Sequence, residues 1–320
     1  MSEFDLITRY FTRPDLHQAE VILGVGDDCA LLRPSTLLQA ISTDMLVEGR
    51  HFFADADATT LGHKSLAVNL SDLAAMGAKP VAFTLALSIP DVDAAWLQKF
   101  SDGMLHLAQL HSCALIGGDT TRGPRTICIT VIGEVHAPHA LRRDAAQPAD
   151  DIWVSGALGD ARAALAHRRG ELNLDRDMLR LAEQRMDAPT PRIALGIHLA
   201  GIARAAIDIS DGLAGDLTHI LTCSGVGATI DLDSLPRGAS LAGLSVAMRR
   251  NFCAAGGDDY ELCFTAPSNK REAVIAAAHA SNTPVTRVGR IDAQPGLRWR
   301  DQHGKTLPIS FSSFDHFTSP

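Results

Sequence analysis

Six short acidic clusters punctuate the chain: Gly26-Asp27-Asp28, Ser42-Thr43-Asp44, Asn69-Leu70-Ser71-Asp72, Gly117-Gly118-Asp119-Thr120, Asp208-Ile209-Ser210-Asp211-Gly212 and Gly256-Gly257-Asp258-Asp259-Tyr260-Glu261. The first five share a pattern in which an apolar run ends, small residues follow, and a carboxylate stands there; the sixth lies near the start of an apolar run. Neighbouring carboxylates repel and are hard to keep ionised unless a cation compensates them. Oxygen donors from Asp, Ser, Thr and Asn select Mg²⁺ or Mn²⁺ over zinc. Magnesium is commonly held by one or two carboxylates plus substrate phosphates, so a phosphorylated substrate is implied. Taken singly, Asp27-Asp28 reads as a turn and Asp211 as a helix N-cap. Repetition in both halves favours a shared metal role and predicts that the clusters converge on one phosphate-bearing ligand.

The elements that would position these groups alternate strand and helix. Apolar residues Leu61, Leu66, Leu70, Leu73 and Met76 recur at helical spacing over 59–77, with Asn69 and Asp72 three apart on another face. Strands are predicted over 21–23, 29–32, 37–43, 81–89, 114–116 and 126–135, with Asp44 and Asp119 falling at strand ends. Asp93 is the N-cap of a helix carrying Trp96, Phe100, Met104, Leu107 and Leu110. A polar, proline-bearing stretch over 138–151 marks a boundary between domains 1–139 and 140–320. Beyond it come strands over 152–155, 205–209, 229–232 and 260–265 and helices over 160–167, 211–222 and 270–280. Along 205–209, alternation sets Asp208 and Ser210 opposite Ile207 and Ile209, and Asp211 meets the following helix N-terminus, where backbone N–H groups favour anions.

Composition narrows the classes. The chain has 320 residues and a formal net charge of −8, with 29 Asp against 8 Glu and 24 Arg against 5 Lys. An anionic protein without a Lys/Arg block is a poor partner for nucleic acid. No segment approaches the apolar length that spans a membrane, and the acidic N-terminus lacks signal-peptide order. Six cysteines without a C-x-x-C pair read as small buried hydrophobes in a reducing compartment, hence a cytoplasmic protein. There is no Walker loop and no protein-kinase signature, and Gly24-Val25-Gly26 is followed by acids where a dinucleotide-binding helix should open. His51 is either a surface histidine or a ligand contact. Arg142-Arg143 is a solvated pair or a phosphate clamp, and Phe314 and Phe317 are core plugs or stacking surfaces for a heterocycle.

The residues Gly26-Asp27-Asp28-Cys29-Ala30-Leu31, Ser42-Thr43-Asp44, Asn69 to Ala78, Gly117-Gly118-Asp119-Thr120, Asp208 to Leu213 and Asp259-Tyr260-Glu261-Leu262 closely resemble the thiamine-monophosphate kinase family. Their order and spacing match along essentially the whole chain, and the general plan is shared with the aminoimidazole ribonucleotide synthetase superfamily. The resemblance implies a mixed α/β, two-domain fold whose N-terminal domain pairs with its twin in a homodimer. It implies ATP-dependent phosphorylation of thiamine monophosphate to thiamine diphosphate with several Mg²⁺ ions. By motif, Asp28, Ser42, Thr43, Asp44, Asp72, Asp119, Asp208 and Asp211 would hold metal. Gly118, Asp119, Arg143 and Ser210 would contact ATP, and His51, Asp258 and Phe314 would contact the thiamine substrate. The family usually has Glu where Asp258 stands and often Tyr or Trp where Phe314 stands.

The chemistry expected is in-line transfer of the γ-phosphoryl group to a phosphate oxygen. The acceptor's second pKa is about 6, so the nucleophile is already mostly ionised and no general base is required. Positioning and charge neutralisation then carry the catalysis. A cyclo-ligase acting on a formamidine ribonucleotide would use the same core, and a non-catalytic Mg-nucleotide sensor would bind ATP without an acceptor.

Overall fold

The computed structural model describes residues 3–12, 19–26, 29–312 and 314. Two compact units emerge, residues 1–73 with 78–137, and residues 74–77 with 138–320. Among the described residues no helix is long and apolar enough to cross a membrane.

The first unit opens with helix α1 (Glu3–Leu6) and a π-helical turn (Ile7–Phe11) that buries Tyr10 and Phe11. Strands β1 (Val21–Leu23) and β2 (Leu31–Leu32) pair as a small ribbon. Its main sheet joins β3 (Leu38–Val47), β4 (Lys79–Ile89), β5 (Ala114–Arg122) and β6 (Thr126–Val135) in the order β3-β6-β4-β5. Only β4 and β5 run parallel, as expected for strands joined through a helix. Helices α2 (Ala58–Ala75) and α3 (Ala94–Leu110) accompany this sheet, with Asp93 capping α3 through the Ala95 and Trp96 N–H groups. The core unites Leu66, Leu70 and Leu73 of α2, Phe83 and Leu87 of β4, Phe100 and Met104 of α3, and Ile127 and Ile129 of β6, all under 2 % exposed. Residues alternate in burial along β6, so one sheet face is packed and the other, bearing Ile41, Thr43 and Met45, is open.

The second unit is built on a seven-stranded sheet. Its strands are β7 (Asp151–Ser155), β8 (Ala205–Ile209), β9 (Gly227–Asp231), β10 (Glu261–Ala266), β11 (Val285–Asp292), β12 (Gly296–Arg300) and β13 (Thr306–Leu307), ordered β13-β12-β9-β11-β7-β10-β8. Helices α4 (Asp160–Arg168), α5 (Arg176–Asp187), α6 (Ile193–Leu199), α7 (Leu213–Ser224), α8 (Val246–Ala255) and α9 (Arg271–Ala280) complete it. Strands β7, β8 and β10 are buried along their whole length, the acids Asp151, Asp208 and Glu261 on them included.

Two boundaries differ from the sequence expectation in a way that matters for function. Asp44 lies inside β3, which continues through Met45-Leu46-Val47, and Asp119 lies inside β5. Beta structure runs through Gly117-Gly118 because Gly118, at φ +150°, lets the Leu85 backbone come so close that a Cβ would collide with its carbonyl. The cysteines also divide: Cys113, Cys253 and Cys263 are buried, Cys128 is half-buried, and Cys29 and Cys223 are exposed.

Candidate active site

In the first unit, β3 presents Ser42 and Asp44 toward α2. The Ser42 hydroxyl donates to the Asp72 carboxylate at 2.5 Å. As β3 is a sheet edge, its outward amides need partners, and the Asp44 N–H finds the Asn69 Oδ1 at 3.0 Å. Asn69 is itself held by donating to the Ser65 carbonyl at 2.9 Å. Ser42, Asp44 and Asp72 are thus brought together by one edge strand and one helix.

Thr43 and Asp119 do not join them. Alternation turns Thr43 to the open face, where its hydroxyl pairs with Thr130 at 2.8 Å. Asp119 pairs across the sheet with Ala86, Cys128 and Met45 in one row. It therefore stands on the far edge strand, about 14 Å from β3 at three strand spacings. Gly118 precedes it on the same strand. Asp28 lies outside the described residues.

His51 sits in the turn after β3. Its Nδ1 accepts the Val47 N–H at 2.9 Å. The adjacent Glu48 pairs with Arg125 at 2.5 Å, and the Arg125 guanidinium lies 4.9 Å from the centre of the Trp96 ring. These contacts fix the turn that carries the histidine.

In the second unit, Asp208 is buried on β8 at 5 % exposure, and Ser210 and Asp211 follow at the strand's end. Helix α7 starts at Leu213 behind a Gly212 N-cap with φ 111°, two residues later than the sequence pattern suggests. The reason is Asp216, whose carboxylate reaches back to accept the Asp211 and Gly212 N–H groups at 3.2 and 3.1 Å. Burial, with the Asp211 charge behind it, pushes the Asp216 carboxyl up to about 7, against the pull of those amides. The sequence reading missed Asp216, although an acid in the first turn of a helix is a capping signal.

Two further segments reach this strand end. The Asp258 N–H donates to the Ser210 carbonyl at 2.7 Å, and the Phe314 N–H to the Asp211 carbonyl at 3.2 Å. Ser210, Asp211, Asp258 and Phe314 are therefore neighbours, although more than 100 residues of sequence separate the first from the last. Phe314 is 38 % exposed, which favours a contact surface over a core plug; Phe317 lies outside the described residues. Arg142 and Arg143 divide their roles. Arg142 is bound by Asp144 at 2.9 and 2.5 Å, while the Arg143 carbonyl is held by the Ser224 hydroxyl at 2.9 Å and its side chain is exposed.

Among the described residues no three His, Cys, Asp or Glu side chains form a ready-made metal cage. The donors that do cluster are hard oxygens with hydroxyls among them, and the buried Asp216 beside them is raised first by burial and then by the Asp211 charge. That set fits magnesium, which completes its shell with water and phosphate oxygens, and does not fit zinc.

Two successive AIR synthase related domains define the class: the N-terminal domain family matches residues 26–135 and the C-terminal domain family residues 147–302. Thiamine-monophosphate kinase of Salmonella typhimurium is 45 % identical, with 99 % of each chain covered. The crystal structure of thiamine-monophosphate kinase from Stenotrophomonas maltophilia superposes with a TM-score of 0.87 at 45 % identity, covering 96 % of this chain and 98 % of that one. A solved complex of AaThiL with AMPPCP and TMP superposes at 0.78 with 28 % identity, covering 98 % and 96 %. The chain belongs to the thiamine-monophosphate kinase family.

Proposed function

We propose that the protein transfers the γ-phosphoryl group of ATP to thiamine monophosphate, giving thiamine diphosphate and ADP. The observation that carries this reading is 45 % identity to a thiamine-monophosphate kinase over 99 % of the chain. The AaThiL complex with AMPPCP, an ATP analogue, and TMP supports the same pair of substrates.

Ser42, Asp44 and Asp72 in the first unit and Asp208 and Asp211 in the second would hold magnesium, with Asp28 and Asp119 added by family resemblance. Magnesium, when bound, neutralises phosphate charge and so lowers the cost of bringing two anions together. The Thr43 hydroxyl, engaged with Thr130 on the other face, is not available to that set without a change of partner. Gly118, Asp119, Arg143 and Ser210 would contact ATP, and His51, Asp258 and Phe314 the thiamine substrate. The acceptor phosphate is ionised at neutral pH, so these residues need to position it rather than deprotonate it.

The open face of the first unit's sheet carries Ile41 at 63 % and Met45 at 54 % exposure, side by side on β3 with Thr43 between them. Apolar side chains grouped on a bare sheet face favour a protein partner, and a homodimer through this face is the simplest occupant. Six free cysteines support a cytoplasmic location.

The deciding test is acceptor profiling. ATP and Mg²⁺ are incubated with thiamine monophosphate, free thiamine, a formamidine ribonucleotide or no acceptor, and ADP is measured. Rapid ADP formation with thiamine monophosphate alone, abolished by chelating the metal, is expected. Turnover confined to free thiamine or to the ribonucleotide would overturn the assignment.

A further inference from the structure

Residues 256–260 connect α8 to β10, and two of them, Asp258 at φ 70° and Tyr260 at φ 49°, adopt left-handed backbone without being glycine. Each such residue is strained and persists only where the surroundings enforce it. Here the enforcement is visible. The Asp258 N–H is tied to the Ser210 carbonyl and the Tyr260 N–H to the Ile209 carbonyl, at 2.7 and 2.8 Å.

Between these two residues the Asp259 side chain turns inward, to 3 % exposure. Both of its carboxylate oxygens accept the Gly159 N–H, at 2.9 and 3.2 Å, and Gly159 is the N-cap of α4. Behind it, the fully buried Glu261 receives Arg185 at 2.7 Å, Arg192 at 2.6 and 2.5 Å, and the Ser155 hydroxyl at 2.5 Å. Arg185 also donates to the Asp259 carbonyl at 3.4 Å. The base of the turn is thus rigid, and the Asp259 side chain ties its crest to the start of α4.

We propose that Asp259 is a positioning residue for the phosphate acceptor, anchoring the crest of this strained turn to the α4 N-terminus so that Asp258 is held beside Ser210 and Asp211. The inference rests on Asp258 contacting the thiamine substrate. With the anchor gone, only the Asp258 and Tyr260 backbone hydrogen bonds oppose relaxation out of the left-handed region, and Asp258 is held less firmly beside Ser210 and Asp211. A carboxylate serving fold stability alone would not discriminate between the two substrates.

The test is steady-state kinetics with each substrate varied for the full-length protein and for Asp259→Ala, Asp259→Asn, Asp258→Ala and the two double variants. In Asp259→Ala the KM for thiamine monophosphate rises about tenfold and the KM for ATP changes less than about twofold. Asp259→Asn, which keeps one acceptor oxygen for Gly159, falls between that variant and the parent. On the Asp258→Ala background the added effect of either Asp259 substitution vanishes. Equal rises in both KM values, or effects that multiply in the doubles, would overturn the proposal. Should Asp259→Ala fail to fold, Asp259→Asn and its double carry the same comparison, with melting temperatures alongside. Failure of the substrate reading is separately visible, since the parent protein would then make no ADP with thiamine monophosphate.

Discussion

At His51 the Nδ1 atom accepts the Val47 N–H, so the proton of the neutral ring belongs on Nε2. Asparagine places its amide oxygen near the Nδ1 position and offers nothing at Nε2. His51→Asn should therefore keep the turn and its melting temperature while raising the KM for thiamine monophosphate about tenfold, with kcat/KM for that substrate as the readout. Asp72 makes a different case, because the Ser42 hydroxyl already donates to it at 2.5 Å. Asp72→Asn retains an acceptor for Ser42 but removes the charge a hard cation needs. Its kcat should fall about 100-fold or more, the scale seen when a preorganised electrostatic group is lost, with the thermal transition nearly unmoved. Near-parental turnover in Asp72→Asn would remove this aspartate from the metal set.

Between elements, one contact gives a pH-dependent stability. Burial alone would raise the Asp151 carboxyl at the start of β7, but Arg271 of α9, at 2.5 and 2.8 Å, and then Arg287 of β11 hold it below the usual carboxylate range. A carboxyl lowered in the folded state stabilises the fold above its unfolded pKa, and that contribution disappears as pH falls through the folded value. Arg271→Met should thus lower stability near neutrality modestly, limited by the half-exposed arginine, and flatten the loss of stability below about pH 4 in urea titrations. An unchanged acid limb would show that Arg271 contributes nothing there. The elements themselves were unevenly legible. Strands over 126–135 and 205–209 have the bounds their apolar patterns predict. Helix α5 carried readable signals, an Asp175 cap and Met178, Ala182 and Met186 at helical spacing, yet charged residues dilute its apolar stripe. Helix α6 has only seven residues, too few for periodicity to declare itself, and α8 is interrupted by Arg249, Arg250 and Asn251. Asp44 and Asp119 were readable as functional residue types but not as occupants of opposite sheet faces, because that depends on strands that pair across the sheet. Asp259 was visible as a member of the sixth acidic cluster, but its anchoring role was not, because its partner, Gly159, is 100 positions away.

For the molecule as a whole, the open face of the first unit's sheet makes the remaining prediction. Exposed Ile41 and Met45 project from β3 on the side away from α2, and Thr130, Cys128 and the half-buried Ile132 continue that face onto β6. Solitary exposed apolar residues are ordinary, but adjacent ones on a sheet with one bare side are covered at modest cost by a matching copy, since a two-fold axis brings like patches together. A stable association of this kind needs about 800 Å² from each partner, roughly what one side of a short four-stranded sheet can offer. Charged side chains at both positions would be buried unpaired against the second copy, at a penalty of several kcal/mol, while the isolated subunit would lose almost nothing because both sites face water. The double variant Ile41→Asp with Met45→Asp should therefore elute with the 34.1 kDa mass of one chain, whereas the parent elutes at about twice that in light-scattering chromatography. Circular dichroism of the variant should match the parent, which separates loss of pairing from loss of fold. If the variant keeps the doubled mass, this face is not where the copies meet.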